Sequence, residues 1–409
     1  MFDSKAQPPA AMIKTLDEAP GSDRQKPLAD SSLVGVRRLS LTDFRSYEWL
    51  DLSVDGRLIV LTGGNGAGKT NLLEALSLLA PGRGLRGAEL GEYARRGGLG
   101  GFAVSAELTT AAGGVQLGTG IEPRATARRY RVDREPAASM RGFGNYVRVI
   151  WLTPAMDGLF NGPPGDRRRF LDRLVLTVDP AHAARVSAFE RSLRGRNRLL
   201  EEGHNADLRW LDAIEEEAAG LAVAIAAARV ETVMRLGALI EATKKAWLPF
   251  PWAGLAVEGE VEHLLKDRSA LDAEEIFRGI LRSNRARDAA AGRALAGPQA
   301  SDFCIEHGPK QVPAAQASTG EQKALLAGLI VAHAGLVFAI SGLAPLVLLD
   351  EIAAHFDTVH REALFEILLR LDAQIWLSGA DPALFEVLKG RSVSVKVRGG
   401  EVSTVHVAN

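Results

Sequence analysis

The sequence is short of three things, and each shortage narrows what the chain can be. It has one cysteine, Cys304, in 409 residues. An intramolecular disulfide and a cysteine-rich metal cluster are therefore excluded, and a reducing, cytoplasmic setting is the expectation. It has almost no net charge, with 49 Lys and Arg against 50 Asp and Glu leaving −1 at pH 7. A nucleic-acid partner must then be held by a local basic patch rather than by the field of the whole molecule. It also lacks a charge-free apolar run of membrane-spanning length. The nearest approach, Ala324 to Ala344, begins directly after Lys323 and is interrupted by His333 and Gly335, so no membrane association is expected. The first 33 residues carry Pro8, Pro9, Pro20 and Pro27, mixed charges and no apolar signal core. Met1 to Leu33 is read as a mobile leader, with a translation start at Met12 left open. What is present is enough apolar material, 46% of the chain, to bury a sizeable core.

From Val36 onward apolar and polar residues alternate. Leu39, Leu41 and Phe44, then Leu50, Leu52 and Val54, predict an antiparallel pair of strands. Arg57 to Thr62 is a short apolar run suited to a fully buried strand, and Leu72, Leu73, Leu76 and Leu79 follow at helical spacing. Further strand-like segments lie between Phe102 and Trp151. Ala181 to Trp247 is poor in proline and reads as two antiparallel helices broken at Gly203-His204-Asn205, with Phe189, Leu193, Arg196 and Leu200 on one stripe. The second helix, from about Leu208 to Trp247, would be roughly 60 Å long. It either protrudes as a short arm or packs within a helical lobe.

Between the buried strand and the first helix stands Gly63-Gly64-Asn65-Gly66-Ala67-Gly68-Lys69-Thr70-Asn71, which fits GxxxxGK[ST]. Glycines let backbone N–H groups wrap phosphates, Lys69 reaches the β and γ oxygens, and Thr70 offers a hydroxyl to Mg²⁺. A chance glycine-rich turn is the competing explanation, and the flanking strand and helix argue against it. Such a loop needs a carboxylate at the end of a neighbouring strand. Pro345 to Glu351 is an apolar strand ending in two acids, so Asp350 suits the metal and Glu351 suits water activation. Upstream, Ser318-Thr319-Gly320-Glu321-Gln322-Lys323 opens a strongly apolar helix. This second anion-binding helix start is surplus to one nucleotide and suits the nucleotide of a facing subunit.

These motifs resemble those of an ABC-type ATPase head. "LTDFRSY", "RRRFLD" at Arg167 to Asp172 and "STGEQKALLAGLIVAHA" resemble the RecF family of bacterial recombination mediators. The likeness runs from about Val36 to the C-terminus. It implies an α/β fold, an ABC-type P-loop ATPase head with a second, largely helical lobe formed by a short insertion. The divisions expected are a leader (1–33), the first part of the head (34–178), the insertion (179–300) and the returning head (301–409). The resemblance further implies ATP and Mg²⁺ as cofactors, slow hydrolysis and an ATP-dependent homodimer on single-stranded or gapped duplex DNA. It also implies cooperation with RecR and RecO in loading RecA. Lys69 and Glu351 would be catalytic, Thr70 and Asp350 would hold the metal, and Ser318 and Gly320 would act in trans. Arg45 would be a further phosphate-side contact and Asp357 the dimer-loop aspartate.

The chain departs from transporter-like heads in two places. Where those carry a glutamine between the lobes, "WLTPAMDGLF" offers Thr153 and Asp157, and where they carry a switch histidine Ser378 stands, read as a γ-phosphate sensor. For DNA, Arg124 to Arg173 holds eleven arginines, no lysine and five acids, enough for a sequence-neutral clamp on phosphates. Alternatively, Arg167 to Arg169 pair with Asp166 and Asp172, and Arg128 to Arg131 form a solvated strand edge. Arg83 and Arg86 are similar candidates. Two other functions compete with the DNA clamp. One is a transporter motor, which would not need the long insertion. The other is a structural SMC-like head, for which the insertion is too short.

Overall fold

A computed structural model describes residues 34–205, 207–244 and 250–405. The expected leader, Met1 to Leu33, and the expected helix end at Trp247 lie outside the described residues. The alternating segment forms β1 (Gly35–Phe44) and β2 (Tyr47–Ser53), antiparallel as their pattern requires, with Leu39, Leu41, Leu50 and Leu52 buried. The apolar run becomes β3 (Leu58–Thr62), buried along nearly its whole length, and the glycine loop leads into α1 (Lys69–Ser77). The strand-like segments form β4 (Phe102–Thr110), β5 (Gly113–Ile121), β6 (Arg129–Val132), β7 (Glu135–Ala137) and β8 (Val149–Leu152).

The chain then passes through α2 (Pro164–Val178), α3 (His182–Glu201), α4 (Leu208–Thr243), β9 (Ala253–Glu258), α5 (Glu260–Asp267), α6 (Ala270–Ser283), α7 (Arg285–Ala291), β10 (Asp302–His307) and β11 (Val312–Pro313). It returns with α8 (Thr319–Ser341), β12 (Leu346–Leu349), α9 (Thr358–Arg370), β13 (Gln374–Gly379), β14 (Val393–Arg398) and β15 (Glu401–Val405).

Two compact units result. Among the described residues, one comprises those up to Asp157, those of Ala242–Trp252 and those from Ser318 onward; the other comprises those of Gly158–Glu241 and Ala253–Ala317. The expected divisions after residues 178 and 300 are displaced, because α2, β10 and β11 belong to the second unit. Side chains explain the shift: Phe170 of α2 stacks on Phe303 of β10, and Arg167 forks onto Asp302 at 2.8 and 2.7 Å. Neither pairing is visible as a local pattern.

In the first unit an antiparallel sheet runs β2-β1-β4-β5-β6-β7, and a mostly parallel sheet runs β15-β14-β3-β13-β12-β8. Their apolar faces share one core, to which Phe44, Tyr93, Leu76, Trp151 and Trp376 belong. Gln374, fully buried at the start of β13, joins β13 to β1. Its amide oxygen accepts from the Val36 N–H and Trp376 Nε1, and its nitrogen donates to the carbonyls of Val36 and Gly56. A buried amide of this kind is tolerated because each of its polar atoms is paired. Helix α8 is long and apolar enough to span a membrane by composition, but 67% of its most apolar stretch is buried inside the protein.

In the second unit α3 and α4 are not free-standing. Phe189, Ala218, Ala222 and Ile225 pack with Val261, Phe277 and Leu281 of α5 and α6, which favours the lobe over the protruding arm. Arg196 continues the α3 stripe yet is fully buried. It donates to Glu215 (2.9 Å), Asp288 (2.7 Å) and the Leu281 carbonyl (2.6 Å), and so ties α3, α4, α6 and α7 together. Removing one member of such a group strands the opposite charges in the core. Arg196→Ala should therefore lower stability by about 3–5 kcal/mol, measured as a lower denaturation midpoint by circular dichroism.

Candidate nucleotide-binding site

The site sits where β3, β12 and β13, adjacent and parallel, end together. After β3 the loop turns through glycines at φ values open only to residues without Cβ. At Gly63 (φ 157°) a Cβ would fall 2.2 Å from the Val397 carbonyl, and at Gly68 (φ 113°) 2.7 Å from the Tyr47 hydroxyl. Gly68 is the residue before α1, and no side chain caps that helix. Its first N–H groups are left for an anion, with the positive end of the helix behind them. The Lys69 ammonium lies against its own loop, donating to the carbonyls of Gly63 (2.8 Å) and Gly64 (3.0 Å), and stands 3.5 Å from the Glu351 carboxylate.

Thr70 donates its hydroxyl to Asp350, 3.0 Å from both carboxylate oxygens, and Ser378 donates to the same carboxylate at 2.5 Å. Ser378 also accepts from the Glu351 N–H at 3.0 Å. Glu351 itself holds a left-handed backbone, φ 54°, a conformation that costs a non-glycine residue about 1–3 kcal/mol and persists only where neighbours enforce it. The position read as a γ-phosphate sensor is thus a fully buried clip between the Asp350 carboxylate and the strained acid. The Thr70 hydroxyl and the Asp350 carboxylate are hard oxygen donors brought together, a set suited to Mg²⁺, which keeps waters and phosphate oxygens as its other ligands.

Arg45, read as a further phosphate-side contact, is bonded to neighbouring residues of its own chain. At φ 52° it turns its guanidinium onto Glu74 of α1 as a two-bond fork (2.8 and 2.7 Å) and donates to the Glu92 carbonyl. Arg86 joins the same fully buried carboxylate at 2.6 Å and Asn71 Oδ1 at 2.8 Å. Glu74 was not singled out from the sequence. A polar residue in an amphipathic helix ordinarily faces water, and nothing local announces that two arginines fold over it. Ser318 caps α8 in a reciprocal box with Glu321, whose carboxylate accepts from the Ser318 N–H (3.0 Å) and hydroxyl (2.9 Å). Among the described residues no hydrogen bond joins Ser318 to the P-loop, Asp350 or Glu351. Asp357 caps α9, and its bonds from the His360 N–H and imidazole hold its carboxyl below the ordinary range.

Residues 38–93 match the model of the AAA domain family. A DNA replication and repair protein RecF of Mesorhizobium japonicum is 49% identical over 369 residues, covering 90% of this chain and 97% of the relative. A RecF of Brucella abortus is 49% identical over 374 residues, covering 91% and 97%. The chain belongs to the RecF family. Family membership accords with the P-loop, the acid pair and the Ser-x-Gly helix start found in one unit. Among solved structures, the recombination mediator protein RecF-ATPrS in the RecFOR pathway superposes with a TM-score of 0.81 at 18% identity, covering 94% of this chain and all of that one. An SMC head domain of Pyrococcus furiosus gives 0.51 at 14%, covering 92% and 96%. At those identities the likenesses establish the fold, an ABC-type ATPase head.

The clip has a measurable consequence. Ser378→Ala removes one hydroxyl from a buried site, and partners that orient a metal-binding carboxylate are typically worth ten- to hundredfold. ATP hydrolysis should slow by that order and need more Mg²⁺ for half-maximal rate, with ATP affinity nearly unchanged.

Proposed function

We propose that this RecF-family chain is an ATP-dependent DNA-binding recombination mediator that closes as a homodimer on gapped duplex DNA and reopens on slow hydrolysis. In that role it would act in the cytoplasm with RecR and RecO to load RecA at single-strand gaps. The observation that carries the reading is that one unit holds an uncapped P-loop helix beside a complete acid pair, while Ser318, the second anion-binding start, is bonded to neither. A site lacking its second phosphate clamp is completed when the Ser318 and Gly320 start of another copy covers it.

Chemically, the Lys69 ammonium would leave the carbonyls of Gly63 and Gly64 for the β and γ oxygens. Thr70 and Asp350 would hold Mg²⁺, whose charge would offset that of the phosphates. Glu351, kept in place through its N–H on Ser378, would orient a water and accept its proton as the water attacks the γ-phosphorus and ADP departs. Lys69→Met should abolish the ATP-driven monomer-to-dimer shift in gel filtration. Glu351→Gln should keep Mg-ATP bound and prolong the dimer on DNA. A Lys69→Met protein that still dimerises with ATP would overturn the nucleotide-clamp reading.

For DNA, the eleven-arginine segment divides. Arg128 is half-buried, donating to the carbonyls of Leu78 and Gly82, and burial holds its guanidinium below the ordinary range. Arg169 pairs with Asp166 at the surface and stays exposed, whereas Arg148 donates to the Gly144 carbonyl and Arg168 to the Ser301 carbonyl. With Arg167 on Asp302, these last two serve the fold. Arg129, Arg131 and Arg134 stand exposed along β6 and the turn after it, beside a shallow groove of about 520 Å³ floored by Ser105, Gly118 and Gly120. They are the phosphate contacts this reading favours. Replacing Arg131 and Arg134 by Gln should reduce the slope of log affinity against log salt by about two, read by fluorescence anisotropy on a gapped duplex. An unchanged slope would remove them from the interface.

A further inference from the structure

The chain first leaves the ATPase unit after Asp157, returns to it for Ala242–Trp252 and rejoins it finally at Ser318. The first departure and the last return are tied. The Lys323 ammonium, on the second turn of α8, lies 2.8 Å from the Asp157 carboxylate, with the lysine side chain 13% exposed and the aspartate 32%. Asp157 stands close in sequence to the metal carboxylate's own strand neighbour. β8 pairs in parallel with β12, Leu152 opposite Leu349, and the Asp350 N–H donates to the Leu152 carbonyl at 2.9 Å. From Leu152 the backbone passes through the buried Thr153 into a tight turn, in which the N–H groups of Met156 and Asp157 bond to the carbonyls of Thr153 and Pro154. A short, hydrogen-bonded path therefore runs from Asp350 to Lys323, and one helical turn further to the Ser318 donors.

We infer that the Asp157–Lys323 ion pair is a positioning clamp that couples the two faces of one subunit. It holds the Ser318 end of α8 in register with the strand end that carries Asp350, so that nucleotide at the subunit's own site orients the donors it presents to its partner. The physical basis is that the pair, when formed, fixes the start of α8 against the turn that follows β8 and, if opened, would release it, so that either site would bias the other through it. The inference rests on the proposed composite site.

The test compares Asp157→Asn, Lys323→Gln, the double variant and the charge exchange Asp157→Lys with Lys323→Asp. The readouts are ATP affinity of the monomer, protein concentration at half-dimerisation with ATP, and thermal midpoint without nucleotide. Each single variant should bind ATP within twofold of the parent and require roughly five- to tenfold more protein to dimerise. The double variant should be no worse than either single one, and the exchange should recover most of the loss. Wild-type dimerisation by Asp157→Asn, or single losses that multiply in the double variant, would overturn the clamp. Losses that follow the thermal midpoint and are not recovered by the exchange would assign the pair to stability alone. Ser318→Arg separates the two readings. If it dimerises and hydrolyses like the parent, the composite site fails; if it is inactive while Asp157→Asn is normal, only the clamp fails.

Discussion

The Asp350 carboxylate accepts hydrogens from the Thr70 and Ser378 hydroxyls, and the nucleotide site depends on this junction. An unpaired carboxylate in so buried a position would cost several kcal/mol. The two hydroxyls relieve that cost, and in doing so they join the P-loop helix, the end of β12 and the end of β13. Parallel pairing makes the meeting possible, because adjacent parallel strands finish on the same edge and place Gly63, Asp350 and Ser378 side by side. Ser378 extends the junction to Glu351, whose left-handed backbone is stabilised by giving its N–H to that hydroxyl.

Arginine does two kinds of work in this chain. Arg45 and Arg86 close over Glu74, Arg167 forks onto Asp302, and Arg196 collects two carboxylates and a carbonyl in the core of the second unit. The planar guanidinium suits such sites because it offers several fixed donors at once, whereas an ammonium offers a point charge. The same property suits phosphates. An arginine-rich segment is therefore ambiguous until burial separates guanidinium groups that already have partners from those left in water.

The insertion follows from the same economy. The chain first leaves the ATPase unit after Asp157 and rejoins it finally at Ser318, with Ala242–Trp252 returning between them, so a second core is built between segments of the first. Asp157 and Lys323 lie on the two sides of that interruption, and their ion pair relates parts of the head that the sequence separates widely.

By itself the sequence determined the elements whose signals are local. Alternation gave β1 and β2, an apolar run gave β3, and glycine spacing with Lys69 and Thr70 marked the phosphate loop, since backbone wrapping of phosphates demands those residue types in that order. Strand ends carrying Asp350 and Glu351, and a Ser-x-Gly helix start, were legible for the same reason. The tertiary structure alone decided partnerships between distant residues. It put Ser378 on Asp350 rather than free in the site, folded Arg45 onto Glu74, drew α2 into the second unit through Phe303 and Asp302, and separated structural arginines from exposed ones. Periodicity and motif spacing report which face of an element is buried and what its backbone can do. Which charged group meets which is set by packing between segments tens to hundreds of residues apart, and a linear pattern carries no term for it.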